Sequence, residues 1–154
     1  MRTLVIYYSR TGTTARVARE LRDLLNCDLL EVKDRKDRGG AIGYVVACKD
    51  AAMKRPTDIA PLNVDLTGYD LLIFGTPVWA FTMAPAVRTA MEAAPAGAKV
   101  ALFCTMNSSG QNRTFADMAG LCATAPLATL ALTRKQVLSG DLTALLAPFA
   151  AALR

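Results

Sequence analysis

Five short apolar runs recur along the chain with helix-period segments between them, and this alternation constrains the fold more than any other feature. The runs are Thr3–Tyr8, the weaker Leu29–Val32, Leu71–Phe74, Val100–Phe103 and Leu127–Leu132. A strand covered on one face alternates apolar and polar residues, whereas a strand buried on both faces does not. The inner runs barely alternate, so they predict parallel strands sandwiched between helices. From Thr13 the side chains of Val17, Leu21, Leu24 and Leu25 share one helical face, with Arg16, Arg19, Glu20 and Asp23 pointing away. Further helices are expected over Ala84–Ala94, Thr114–Cys122 and Asp141–Leu153, the last kinked or broken at Pro148. The resulting fold class is α/β, a doubly wound five-stranded parallel sheet with helices on both faces. A length of 154 residues suits one domain over 1–154 and buries a core without disulfides or metal.

The chain has no histidine. That removes the Ser-His-Asp triad, the Cys-His dyad and every zinc site built on imidazole, and leaves a bound cofactor as the expected source of any difficult chemistry. Residues 1–8 hold too short an apolar run for a secretory leader, and the longest uncharged stretch, Leu71–Val87, contains Gly75, Pro77 and Pro85 and does not read as a membrane helix. Cys27, Cys48, Cys104 and Cys122 form no Cys-x-x-Cys pair and are expected as buried thiols. The expected setting is cytoplasmic, with no membrane span.

Between the second and third runs, Lys33–Asn63 is about twice the usual connection for such a fold. Its first part, Lys33–Arg55, carries seven basic and three acidic residues, hence +4 of the net +5. A helix over Gly43–Lys54 is expected to bury Val45, Val46 and Met53. The charge run reads as a solvated face, a dock for an acidic redox partner, or a surface attracting nucleotide phosphates. It lacks the interleaved aromatics of a nucleic-acid surface, so no nucleic-acid partner is expected.

Ligands of open parallel sheets bind past the carboxyl ends of the strands, where strand order reverses. After the first run comes Ser9-Arg10-Thr11-Gly12-Thr13-Thr14, leading into a helix. Hydroxyls and free helix amides there suit a phosphate monoester, or else form an ordinary capped helix start. After the third comes Gly75-Thr76-Pro77-Val78-Trp79-Ala80-Phe81, whose only tryptophan, expected in a loop, suits a flat aromatic ligand or packs on its neighbour. After the fourth comes Thr105-Met106-Asn107-Ser108-Ser109-Gly110-Gln111-Asn112, able to bond a heterocycle edge or to form a solvated turn.

Together these three strings resemble the flavodoxin-like family of FMN-binding proteins, across essentially the whole chain in element order. The resemblance implies strand order 2-1-3-4-5 and FMN as cofactor. It places Ser9, Arg10, Thr11, Gly12, Thr13 and Thr14 on the phosphate, with Thr76, Pro77, Val78, Trp79, Ala80 and Phe81 flanking the isoalloxazine ring. Thr105, Asn107, Ser108, Gly110 and Asn112 would close the other side. Receiver domains and low-molecular-weight tyrosine phosphatases share such a fold but need an aspartate after the third strand and a cysteine in the first loop. Here Gly75 occupies the former place, and the first loop has no cysteine.

Two departures from the family shape the expected function. Electron-carrying flavodoxins are acidic, whereas this chain is +5 with no acid between Leu71 and Arg88, which predicts a less negative two-electron potential. Ala80 stands where the family often has glycine, and the strain of positive φ at alanine predicts a less stabilised one-electron-reduced flavin. The expected activity is electron transfer to a redox partner protein, with NAD(P)H-dependent reduction of a quinone-like acceptor as the alternative and a flavin-free scaffold as a third. The apolar stripe Leu142, Leu145, Leu146, Phe149 and Leu153 serves the core or, on one side, a homodimer.

Overall fold

The computed structural model describes residues 1–154. In chain order the elements are β1 (Thr3–Tyr7), α1 (Thr13–Leu25), β2 (Asp28–Glu31), α2 (Gly40–Ala52), β3 (Leu71–Trp79) and β4 (Thr82–Met83). There follow α3 (Pro85–Glu92), β5 (Lys99–Met106), α4 (Gln111–Ala119), β6 (Thr129–Thr133), α5 (Arg134–Ser139) and α6 (Leu142–Ala152). The parallel strands lie in the order β2-β1-β3-β5-β6, which is 2-1-3-4-5 when only they are counted. The sixth strand, β4, is a two-residue antiparallel addition to β3, pairing Val78 with Met83 and Trp79 with Thr82.

The lack of alternation in the inner runs has the expected cause. Every residue of β1 is buried, as are the first six of β3, while the edge strands β2 and β6 are largely half-exposed. Successive β1 side chains enter opposite cores. Leu4 and Ile6 join Leu72, Phe74, Val87 and Leu102 on one face; Val5 and Tyr7 join Val17, Leu21, Phe103 and Leu146 on the other. Both β3 and β5 run beyond their apolar cores, because pairing continues to Pro77–Thr105 at the end where the loops gather.

Three local expectations are corrected. The last helix is not broken at Pro148, which lies inside it. Proline there removes one hydrogen bond, but both Pro148 and Ala144, whose carbonyl loses its donor, are on the exposed side, where water can replace the bond. The short α5 was not expected, although its capping box joins Thr133 and Gln136. In α2 the buried residues are Ala47, Asp50 and Ala51, while Val45 and Met53 are exposed.

The reason for that reversal is a buried ion-pair cluster in the long connection. Arg38 Nε donates to Asp34 Oδ2 at 2.6 Å and Arg38 Nη1 to Asp50 Oδ2 at 3.0 Å, with the Arg38 side chain only 2% exposed. Lys36 Nζ also reaches Asp50 Oδ2, at 2.8 Å. Asp50 must therefore face inward, which turns Val45 out. Gly43 lies so close to the Arg38 backbone that a Cβ there would approach its carbonyl carbon to 2.5 Å. The charge run is thus largely neutralised by ion pairs, in part with carboxylates outside it. Lys33 pairs with Glu31, Arg35 with Asp58 and Lys54 with Asp117, leaving Lys49 and Arg55 outside any ion pair.

The turn joining β3 to β4 is strained. Ala80 and Phe81 have φ of 49° and 63°, the double left-handed geometry of a tight two-residue hairpin usually built from Asn-Gly or Asp-Gly. Neither residue adopts it freely. Replacing Ala80 with Gly should raise stability by about 0.5–1 kcal/mol, because relief of the left-handed penalty exceeds the added unfolded-state entropy; thermal melts of the two proteins check this. The Asp50→Asn variant should lose about 3 kcal/mol in urea titrations at pH 7, since it deprives a buried cation of one of two counter-charges. Hydrogen bonds from Lys36 and Arg38 hold the Asp50 carboxyl below the usual carboxylate range. Its stabilisation is therefore complete above the unfolded value of about 3.9 and is lost as pH falls through the lower folded value. The gap between wild type and Asp50→Asn should accordingly close below about pH 4.

Candidate functional site

Past the carboxyl ends of β1, β3 and β5 lies a cavity of about 230 Å³. Its walls are Ser9, Arg10, Thr11, Thr13 and Thr14 from the first loop, Pro77, Val78 and Trp79 from β3, and Thr105, Met106 and Asn107 from β5. Tyr44 of α2 and Arg134 of α5 complete it.

The first loop is not an ordinary capped helix start. Gly12 occupies the N-cap position of α1 with φ of 98°, and no side chain caps the helix. Ser9 Oγ instead accepts from Gly12 N at 3.0 Å, which sets the turn and leaves the first helical amides to an outside acceptor. The hydroxyls of Thr14 and Thr105 share a hydrogen bond of 2.8 Å, both residues buried, so the α1 terminus is fastened to β5. Uncapped amides, the helix dipole and the free hydroxyls of Thr11 and Thr13 make this end of the cavity a seat for an anion.

Arg10 faces the cavity but has other work. Its Nε donates to the Arg38 carbonyl at 2.9 Å and its Nη2 to the Gly40 carbonyl at 3.2 Å. The guanidinium lies 5.3 Å from the centre of the Tyr44 ring. The long connection is thereby tied to the first loop and supplies a wall of the site.

Trp79, expected in a loop, is the last residue of β3 and is only 5% exposed. Tyr8 meets it edge to face at 5.4 Å, and the Arg38 guanidinium lies 5.8 Å from its ring. A ring fixed in this way can bound a planar ligand without having to be ordered on binding. Burial, followed by the charge of Asp34, raises the Tyr8 phenol above its ordinary value, so it stays neutral. Burial also pushes the Cys104 thiol up to about 12, and Cys104 is the one fully buried cysteine, the other three being half-buried.

Seven expected site residues stand outside the cavity lining: Gly12, Thr76, Ala80, Phe81, Ser108, Gly110 and Asn112. Thr76 is fully buried, and its hydroxyl accepts from Ala84 N at 2.9 Å, tying the start of α3 to the sheet. Ala80 and Phe81 form the strained rim. The strain expected at Ala80 on turning its peptide is already present. Phe81 is half-exposed, with the Arg113 guanidinium 5.8 Å from its ring. Gly110, at φ of 110°, packs against this rim, where a Cβ would come within 2.8 Å of Val78 Cγ1. The loops after β3 and β5 therefore touch outside the cavity. Tyr44, Met106 and Arg134 are lining residues that sequence reasoning missed, the first and last because only tertiary packing brings them to this edge.

The sequence model described as Flavodoxin matches residues 2–146. A comparison with curated proteins finds none that matches. Among solved structures, a flavoprotein of Lactobacillus acidophilus NCFM in complex with FMN is 21% identical, covering 89% of this chain and 95% of that one, with a TM-score of 0.70. A provisionally named flavoprotein of Bacteroides eggerthii DSM 20697 is 21% identical over 99% of this chain and 98% of its own, with a TM-score of 0.77. An NADPH-quinone reductase from P. pentosaceus is 13% identical, covers 97% and 96%, and has a TM-score of 0.58. At these identities the structures speak to the fold, and the family model spans nearly the whole sequence: the chain belongs to the flavodoxin family.

Proposed function

We propose that this chain binds FMN and works as a redox protein in electron transfer. The observation that carries the reading is the uncapped N-terminus of α1, opening with spare threonine hydroxyls into a cavity that has an aromatic wall and no carboxylate. Thr11, Gly12, Thr13 and Thr14 would hold the phosphate. Trp79 and Val78 would bound the ring on one side, and Thr105, Met106 and Asn107 on the other. Bound there, FMN supplies the electron or hydride transfer. The chain's own residues bind it, orient it and keep water from its buried edge. At about 230 Å³ the cavity is smaller than the ~300–1,000 Å³ that encloses a whole drug-sized ligand, which leaves one edge of the cofactor to exchange electrons at the surface.

The second reading is NAD(P)H-dependent reduction of a quinone-like acceptor, supported by the likeness in fold to the NADPH-quinone reductase. Electron transfer stands first because a cavity of about 230 Å³ leaves little room for a second substrate beside the cofactor. As one domain, cytoplasmic, the protein would meet its redox partner through that rim. No helix is long and apolar enough to cross a membrane.

Titration with FMN should quench the single tryptophan, Trp79, at one equivalent and yield a yellow protein. The absence of both quenching and colour would overturn the reading. Steady-state oxidation of NADH or NADPH with a quinone acceptor separates the two activities, and turnover by the FMN-loaded protein would favour the enzyme. A potentiometric titration should give a two-electron potential less negative than that of acidic flavodoxins. The expected displacement is about 20–25 mV for each cation ~10–15 Å from the ring.

A further inference from the structure

Two cationic side chains line the cavity, Arg10 and Arg134, and no acidic one does. Arg10 is largely committed, with Nε and Nη2 bonded to the carbonyls of Arg38 and Gly40. Arg134 is uncommitted: it is exposed and has neither an ion-pair nor a hydrogen-bond partner within the chain.

Its position follows from the sheet. Thr133, the last residue of β6, pairs in register with Met106 of β5, so the next residue stands beside the end of β5 and the α1 terminus. Arg134 and Lys135 open α5 with two cations in the first turn, where the helix dipole favours anions. The Thr133–Gln136 capping box takes up the amides of Thr133 and Gln136, and what α5 is seen to bring to the cavity is the side chain of Arg134. An unpaired guanidinium, set against the dipole of its own helix and facing a carboxylate-free cavity, is suited to meet a ligand's negative charge.

We propose that Arg134 pairs with the phosphate monoester seated at the N-terminus of α1 and sets the preference for phosphorylated over unphosphorylated flavin. Arg10, which the family resemblance places on the phosphate, is instead the positioning residue that holds Arg38, Gly40 and Tyr44 against the site. The proposal rests on the flavin reading above and deepens it, by assigning phosphate selectivity to a residue outside the three loops. No covalent step is involved.

The test titrates FMN and riboflavin into the wild type, Arg134→Ala, Arg134→Lys and Arg10→Ala, following Trp79 fluorescence. Arg134→Ala should weaken FMN binding about tenfold, the lower end for a charge-assisted hydrogen bond, and leave riboflavin binding unchanged. Arg134→Lys should recover most of the loss at low salt, since the charge remains while the fork is gone. The FMN affinity of the wild type should fall more steeply with salt than that of Arg134→Ala. Arg10→Ala should weaken both flavins alike, as the Tyr44 wall loosens. Unchanged riboflavin binding shows that the Arg134→Ala fold is intact. A wild-type FMN-to-riboflavin ratio kept in Arg134→Ala overturns this assignment alone, as does a phosphate-selective loss in Arg10→Ala with none in Arg134→Ala. A wild type that binds neither flavin overturns the proposed function itself.

Discussion

The guanidinium of Arg38, sealed between Asp34 and Asp50, is the constraint on which the arrangement of the site depends. Burying three charges gains little stability against well-packed apolar residues, because desolvation offsets the attraction. The cluster does restrict conformation. Its bonds have direction, so the segment from Asp34 to Asp50 has one way to close, and that way brings Asp50 inward on α2 and the carbonyls of Arg38 and Gly40 towards Arg10. The same guanidinium lies 5.8 Å from the centre of the Trp79 ring, which Tyr8 also meets edge to face. One buried cation thereby connects the family-specific strings in the first loop and β3 to a segment that is not part of either.

Much of this was legible in the sequence, for identifiable reasons. Leu4-Val5-Ile6 and Leu71-Leu72-Ile73-Phe74 contain no polar residue because both sheet faces are covered, and that pattern survives any uncertainty about boundaries. The order of the loops follows from the order of the strands. The β3–β4 hairpin was not legible, because its turn residues, Ala80 and Phe81, lack the glycine or asparagine that announces left-handed backbone. Pro148 misled for the converse reason: the local rule for proline is sound, but the cost depends on whether the freed carbonyl is buried, and burial is a tertiary property. The direction of α2 was misread because its periodic apolar residues, Val45 and Met53, compete with an aspartate whose partners lie on the preceding turn of chain.

The site divides in the same way. Ser9, Arg10, Thr11, Thr13 and Thr14, with Pro77 to Trp79, line the cavity, since backbone geometry at a strand end is set locally. Gly110, Ala80 and Phe81 were correctly drawn to this edge of the sheet, yet they shape the rim where two loops touch. Tyr44 and Arg134 carry no motif. The first reaches the cavity only because the ion-pair cluster folds the long connection back, and the second only because β6 pairs with β5 in the register that puts Thr133 beside Met106.

Net charge is the property whose meaning changes most between sequence and structure. An excess of +4 within Lys33–Arg55 suggests a basic surface, yet five of its seven cations find carboxylates within 4.0 Å, and one of the five, Arg38, is buried. Exposed pairs of this kind produce little field at a distance, since each cation is screened by its own partner and then by salt. The field that a bound anion would feel comes instead from a few groups at the cavity itself: the terminus of α1, the residual charge of Arg10 and the unpaired Arg134, with no carboxylate lining to oppose them. Tuning of a bound cofactor is therefore a local property of this edge of the sheet. It is separable from the overall +5, which acts on the encounter with other molecules.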